Sequence, residues 1–281
     1  MEIKPPPETD EQIPQCPYAE AGVVPKHPFR LLVVGVSGSG KTVLVTHLVR
    51  TVYKGYFDRV VIFSPTAEND PAYKGLTKKR DFKKELKGED LEQLFQTQKN
   101  KVKAQGKVHA PRMLIIFDDI IADAKFMNTT AFQKAFYQSR HHNISIILNS
   151  QSYMRMPRSP RLNVTDLCIF PPSESEIDRI SHEYCPPHTK QKDFAKIVRH
   201  ATQEKYSFLY IQREADPDKR FRRKFDAYLT LPGQGFIDEA TLERPKGKGK
   251  RKRPEEVEQP DKSQQKRVQY DQPIDETPRE S

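Results

Sequence analysis

The sequence predicts an α/β domain in which a mostly parallel central sheet carries helices on both faces. Three observations support this fold class. Short runs rich in Val and Ile recur along the chain, these runs are apolar on both faces, and helical patterns separate several of them. Strands buried on both faces belong to parallel sheets, and alternating strands and helices are typical of a doubly wound domain, here of roughly 200 residues.

Seven apolar runs are expected to form strands, the first five of them buried and parallel. In chain order they span residues 31–34, 60–63, 113–117, 144–148, 167–170, 207–212 and 221–229. Helical patterns beside the first, third and fourth runs occupy residues 42–54, 91–104 and 130–139. The stretch 78–87 is mostly charged, so a solvated helix or loop is expected there.

Composition limits the classes of protein to consider. The chain of 281 residues has a formal charge of +10, from 48 Lys and Arg against 38 Asp and Glu, which suits a polyanionic partner. Its three cysteines are too few for a disulfide framework, so a reducing, intracellular compartment is expected. No apolar run approaches membrane-spanning length, and the N-terminus lacks the apolar core of a secretory signal. We therefore expect neither a membrane, a secreted nor a collagen-like protein.

Composition also divides the chain into three parts. Residues 1–27 are rich in Pro and charge and are expected to be an N-terminal extension that lies on a neighbouring surface, while residues 28–235 form the folded domain. Residues 236–281 are expected to be a disordered tail, because a polar segment cannot offset its ordering entropy by burial. The basic run at 246–253 is a nuclear localisation signal, a DNA-binding arm or a solvated linker, and the sequence leaves these alternatives open.

A glycine-rich segment follows the first strand and opens a helix. It satisfies the pattern G-x-x-x-x-G-K-[ST], whose backbone N–H groups surround a β-phosphate at a helix N-terminus. Lys41 is expected to reach the β- and γ-phosphates of ATP, and the Thr42 hydroxyl to ligate Mg²⁺. The predicted nucleotide-binding residues are Gly35, Val36, Ser37, Gly38, Ser39, Gly40, Lys41 and Thr42.

Two carboxylates, Asp118 and Asp119, follow the third strand. Asp118 is expected to hold the Mg²⁺ shell, and Asp119 to orient or deprotonate the attacking water as the catalytic base. Paired acids after a strand are in general more often helix caps or loop residues, but the phosphate-binding loop about 75 residues earlier favours a functional pair. A second acid lies beside the expected metal ligand, and the sequence contains no N-K-x-D guanine motif. Both observations favour an enzyme that hydrolyses ATP over a signalling GTPase.

Polar amides end the fourth strand. An amide in this position can sense the γ-phosphate or its attacking water and report hydrolysis to the rest of the domain. Gln151 is the first candidate for this role and Asn149 the second, and the alternative is a polar strand end that only faces solvent.

Several segments occur in an order typical of one superfamily. They are the loop at 35–42, Phe-Ser-Pro at 63–65, Ile-Ile-Phe-Asp-Asp at 115–119, Ser-Arg-His-His-Asn-Ile-Ser-Ile-Ile at 139–147, Ser-Gln at 150–151 and Arg-Leu-Asn at 161–163. Over residues 29–231 the chain resembles the FtsK–HerA superfamily of DNA-pumping ATPases, in particular the branch that packages genomes in large eukaryotic DNA viruses, virophages and polinton-like elements. Asp119 departs from the pattern, because many relatives have Glu there, which leaves the identity of the base open.

The resemblance implies a RecA-like P-loop NTPase core, a homo-oligomeric ring around double-stranded DNA of any sequence, and ATP-driven translocation of a viral genome into a capsid. A capsid protein is then a further partner, and the host nucleus, a viral factory or the virion is the location. The resemblance also implies that Arg140 is a catalytic arginine lent to the next subunit. The alternative is an arginine that stabilises the end of a helix.

Two other function classes stay open at this point. One is another P-loop enzyme, such as a nucleotide kinase, which would need a small phosphate acceptor. The other is a non-catalytic scaffold that assembles on DNA or a capsid when nucleotide binds. Stimulation of multiple-turnover phosphate release by DNA would distinguish the packaging ATPase from both.

Overall fold

The structure, a computed structural model, describes residues 12–66, 70–187, 189–230 and 238–241. All of these residues belong to the first of two units into which the chain divides, Met1–Pro245, and the second unit is Lys246–Ser281. The basic run at 246–253 and most of the predicted tail lie outside the described residues. Residue 235 also lies outside the described residues, but residues 238–241, which the sequence assigns to the disordered tail, form a strand that pairs with Ala227–Thr230 in the sheet.

The strands form one sheet. They are β1 (Arg30–Val34), β2 (Arg59–Phe63), β3 (Phe82–Lys83), β4 (Met113–Asp118), β5 (Ile144–Ser150), β6 (Asp166–Ile169), β7 (Leu209–Gln212), β8 (Phe221–Arg223), β9 (Ala227–Thr230) and β10 (Asp238–Thr241). Their order is β10-β9-β8-β7-β6-β1-β5-β4-β2-β3. The strands from β6 to β3 are parallel, and β7 to β10 extend the sheet in antiparallel fashion.

Helices cover the sheet. They are α1 (Pro17–Glu20), α2 (Lys41–His47), α3 (Gly88–His109), α4 (Ala124–Met127), α5 (Thr130–Gln138), α6 (Arg158–Asn163), α7 (Glu174–Tyr184) and α8 (Gln191–Thr202). A π-helical turn, Leu48–Val52, continues α2, and a 3₁₀ turn, Ser139–His142, continues α5. No helix in the described ranges combines the length and the apolar character that crossing a membrane requires.

The sheet is apolar on both faces, as the sequence predicts. Every residue of β1, β4 and β5 is buried. On one face Phe117 of β4 packs against Phe132 and Phe136 of α5, and the other face packs against Phe29 and Tyr53. The described architecture confirms the predicted α/β fold class with a mostly parallel central sheet.

The described part of the predicted N-terminal extension, residues 12–27, lies on the core. Ala19 and Val24 are almost fully buried. The Arg222 guanidinium donates hydrogen bonds to the carbonyl oxygens of Gly22 and Val23, at 2.7 and 3.2 Å. These contacts tie the segment to β8. Residues 12–27 therefore pack with the folded domain, although the sequence places the start of that domain at residue 28.

Two segments differ from the sequence-based expectations. The run 221–229 is not one strand but a hairpin of β8 and β9, because Lys224 adopts a left-handed backbone (φ +54°) that turns the chain. The charged stretch 78–87 contains the 3₁₀ turn Lys79–Asp81 and the short edge strand β3. Charged side chains suit an edge strand, since they discourage pairing with another chain.

Candidate functional site

The predicted site residues meet at the carboxyl ends of three adjacent parallel strands. Strand β5 lies between β1 and β4, and its register pairs Val34 with Ser150 and Asp118 with Asn149. The phosphate-binding loop follows β1, the paired acids end β4, and the amides end β5. Ligands of open α/β sheets bind at this edge of the sheet.

The loop needs glycine at two positions. A Cβ atom at Gly35 would lie 2.6 Å from Phe170 Cβ and 2.9 Å from Ser39 Oγ, which is too close for any side chain. Gly40 has φ +103°, a conformation that L side chains rarely adopt, and it caps helix α2. The first N–H groups of a helix have no partner within the helix, so α2 presents donors toward the loop.

Lys41 lies on the floor of the loop. Its side chain folds back so that Nζ donates a hydrogen bond to the carbonyl oxygen of Val36 at 2.8 Å, and the residue is buried. Burial lowers the pKa of Lys41, while the nearby carboxylates of Asp118 and Asp119 oppose this shift. A phosphate group in the loop would offer this buried cation an anionic partner in place of a carbonyl oxygen.

Asp118 is a buried carboxylate whose partner is neutral. Asn149 Nδ2 donates a hydrogen bond of 2.5 Å to its Oδ1, and no salt bridge to Asp118 is found within the described ranges. Burial raises the pKa of Asp118, and the hydrogen bond from Asn149 opposes this shift. A cation beside this carboxylate would relieve the cost of burying its charge.

Asp119 points to a second amide. Gln151 Nε2 donates a hydrogen bond of 2.9 Å to Asp119 Oδ1, and the Gln151 side chain is exposed. The backbone of Asp119 is left-handed, with φ +52°, which is uncommon for a residue other than glycine and is often found at functional sites. The two predicted sensor amides therefore contact one acid each. Asn149 contacts the buried Asp118, and Gln151 contacts the more accessible Asp119.

These residues surround one cavity of about 670 Å³. Its lining includes Ser37, Gly38, Gly40, Lys41, Thr42, Asp118, Asp119, Asn149, Ser150 and Gln151. The Thr42 hydroxyl and the Asp118 carboxylate are hard oxygen ligands of the kind that Mg²⁺ takes together with phosphate oxygens. Because Asp118 also lacks a cationic salt-bridge partner in the described ranges, the donor set fits Mg²⁺.

Comparison with known proteins agrees with this geometry. Residues 21–226 match the family described as Poxvirus A32 protein, which is more than half of the chain. The chain belongs to this family.

Similarity to other members of the A32 family is moderate. Over 178 residues the chain is 33% identical to the DNA packaging protein OPG160 of Variola virus and to that of Vaccinia virus (strain Copenhagen). The alignment covers 62% of this chain and 64% of each relative. The chain therefore spans less than two thirds of the length of these relatives.

Solved structures show the same fold. The genome packaging NTPase B204 from Sulfolobus turreted icosahedral virus 2, in complex with ATP-gammaS, has a TM-score of 0.51 at 20% identity, and the match covers 69% of this chain and 95% of that chain. Its complex with sulfate has a TM-score of 0.52 at 19% identity, over 70% of this chain and 96% of that chain. Family and fold together confirm the predicted resemblance to viral genome-packaging ATPases.

Arg140 does not line the cavity of its own chain. It lies in the 3₁₀ turn before β5, whereas Gln151 follows the other end of that strand. A seven-residue strand separates its ends by about 20 Å, at about 3.3 Å per residue. Burial and then the positive charge of Arg140 lower the pKa of Arg30, so two cations lie close together at this opposite edge of the sheet.

The structure adds residues to the cavity that the sequence does not indicate. They are Val43, Leu44, His47, Thr66, Asp70, Phe170, Tyr206 and Phe208. None belongs to a motif. Val43, Leu44 and His47 lie on α2 after the loop, whereas Phe170, Tyr206 and Phe208 approach the loop because β6 lies beside β1 in the sheet and β7 lies beside β6. The sequence places Phe170 and Phe208 in apolar runs expected to lie in the sheet, but it does not place either of them at the loop.

Proposed function

We propose that this A32 family protein binds ATP with Mg²⁺ and hydrolyses ATP to move double-stranded DNA, so that a viral genome is packaged into a capsid. One observation carries the proposal: the phosphate-binding loop, the paired carboxylates and two amides surround a single cavity. The names of the OPG160 relatives and of the B204 structures support the same function.

Six residues of the cavity have a task in this proposal. Lys41 exchanges the carbonyl of Val36 for phosphate oxygens, and Thr42 and Asp118 hold Mg²⁺, which neutralises phosphate charge when bound. Asp119 orients or deprotonates the attacking water, since it is the more accessible acid and its orientation is fixed by Gln151. Asn149 keeps Asp118 in place, and Gln151 links the base to the end of β5.

The assembly is also part of the proposal. The chain works as a homo-oligomeric ring in which Arg140 reaches the site of the next subunit, and DNA of any sequence passes along the ring. The ring binds a capsid protein, inside the host nucleus or a viral factory. A ring that stays on the capsid after packaging becomes part of the virion. Supporting features are the charge of +10 and the distance of Arg140 from its own cavity.

DNA is expected to stimulate the ATPase without sequence preference. Phosphate release over many turnovers should increase when duplex DNA of unrelated sequences is added, and both binding and stimulation should decline steeply with salt, because phosphate contacts release counterions. Lys41→Ala is the control for contaminating activity. Turnover that requires a small phosphate acceptor and ignores DNA would instead identify a kinase, and release of a single phosphate per chain would identify a scaffold.

Asp119→Asn is expected to separate binding from hydrolysis. The amide keeps the size of the side chain but removes its basicity, so nucleotide affinity should stay nearly unchanged while turnover decreases about 10²- to 10⁴-fold. Phosphate release and nucleotide titration measure the two effects, and Asp178→Asn on α7 is a matched control at an exposed acid outside the cavity. Hydrolysis at the wild-type rate would show that Asp118 or another acid is the base.

A further inference from the structure

The turn that precedes β7 places an aromatic ring against the phosphate-binding loop. Tyr206 is 55% exposed, and its backbone is left-handed, with φ +62°. A Cβ atom at Gly40 would lie 3.2 Å from Tyr206 Cδ1 and 3.5 Å from Phe170 Cε1. Two aromatic rings therefore stand directly beside the last glycine of the loop.

The turn is anchored on both sides. Ser207 N donates a hydrogen bond to the carbonyl oxygen of Glu204 at 3.0 Å, and Lys224 N donates one to the carbonyl oxygen of Phe208 at 2.9 Å. The Glu204 carboxylate accepts a hydrogen bond from Arg223 at 2.9 Å. Strained, exposed residues persist only where their surroundings fix them, and they cluster at ligand-binding sites.

The same part of the cavity is aromatic and apolar. The rings of Phe170 and Phe208 lie 5.2 Å apart and both residues are buried. Six large hydrophobic side chains are exposed within the described ranges, and three of them, Val36, Val43 and Tyr206, lie on or beside the loop. Scattered exposed hydrophobics need no explanation, but this concentration beside a polar phosphate site does.

We propose that Tyr206 stacks on the purine base of the nucleotide whose phosphates the loop holds, with Phe170 and Phe208 as the apolar wall behind the base. The inference rests on the proposed function and extends it to recognition of the base. Lys205 Nζ lies 4.9 Å from the centroid of the Tyr206 ring, and this exposed, flexible side chain gives way to a base. Stacking does not read hydrogen-bonding edges, so ATP and GTP bind with similar affinity.

A truncation series tests the contact. Tyr206→Ala should bind ATP about tenfold more weakly, the size of one base–aromatic stack, but should bind inorganic tripolyphosphate like the wild type. Tyr206→Phe should bind ATP like the wild type because it keeps the ring. Tyr137→Ala is the matched control, since Tyr137 is 50% exposed and does not line the cavity. Calorimetric titration measures all of these affinities without any need for turnover.

A fluorescent variant gives an independent readout. The chain contains no tryptophan, so Tyr206→Trp introduces a single reporter at the proposed site. ATP and GTP should both change its emission, and tripolyphosphate should bind without doing so.

The outcomes separate this proposal from the proposed function. One outcome is that the wild-type chain binds ATP and Lys41→Ala binds it more weakly, while Tyr206→Ala binds ATP like the wild type. In that case only the assignment of Tyr206 is overturned. An equal loss of ATP and tripolyphosphate affinity in Tyr206→Ala overturns it too, because the loop rather than the base is then affected. If the wild-type chain binds neither compound, the proposed function fails and the base site with it.

Discussion

Lys41→Ala is expected to reduce ATP turnover to the background level and to weaken nucleotide binding about 10- to 100-fold. The phosphates lose the cation of the loop, and a charge-assisted hydrogen bond contributes about 1.5–3 kcal/mol. The empty protein should not be destabilised, because burial already lowers the pKa of Lys41 and disfavours its charged form. The carbonyl oxygen of Val36 that it contacts belongs to an exposed residue that water can solvate.

Three measurements check this result together. Phosphate release gives turnover, calorimetric titration gives nucleotide affinity, and the thermal midpoint without nucleotide gives stability. Lys54→Ala is the matched control, since Lys54 is exposed near the end of the same helical segment and does not line the cavity. Turnover near the wild-type rate in Lys41→Ala would exclude this loop as the catalytic site. A lower thermal midpoint would show that the loss of turnover results from destabilisation of the fold.

The sequence predicts most of the site because its parts are local. Each of the three elements, the loop, the paired acids and the amides, directly follows an apolar run that is long enough to be read as a strand. Parallel strands then bring their carboxyl ends to one edge of the sheet, so Asp118 and Asn149 become neighbours through register alone.

The rest of the site depends on tertiary structure. Tyr206 and Phe170 are 36 residues apart in sequence, and they meet beside Gly40 only because β6 lies between β1 and β7. An isolated aromatic residue in a turn has no periodicity that distinguishes it from any other exposed side chain. The hairpin of β8 and β9 is missed for a related reason, since the left-handed Lys224 interrupts an otherwise regular apolar run.

Arg140 illustrates how structure sharpens a prediction that sequence leaves open. The sequence offers two roles, a catalytic arginine for the next subunit or a residue that stabilises a helix end. Within the described ranges Arg140 forms no salt bridge and donates no hydrogen bond to the end of α5, and its side chain is exposed. The position favours a partner outside the chain, because the charge is repelled by Arg30 and lies far from its own cavity.

Arg140→Ala is therefore expected to bind ATP normally and to hydrolyse it at least about 10³-fold more slowly, the loss that follows removal of an arginine from a phosphoryl-transfer site. Mixing it with Lys41→Ala subunits should restore part of the activity. At a head-to-tail contact, the intact arginine of one variant then faces the intact loop of the other, and random mixing in equal amounts produces such a contact at roughly a quarter of the interfaces.

The mixing series is measured by phosphate release across a range of ratios, after native mass spectrometry shows that mixed oligomers form. Arg158→Ala is the matched control, because Arg158 is an exposed arginine on α6. This variant should keep the wild-type rate, and mixing it with Lys41→Ala should give no activity above that of Arg158→Ala alone. Recovery that peaks near equal amounts requires a site shared between subunits, because neither variant alone contains both the loop lysine and the arginine. If mixed oligomers form and no activity returns at any ratio, Arg140 acts within its own chain or only maintains structure, and the shared site must be abandoned.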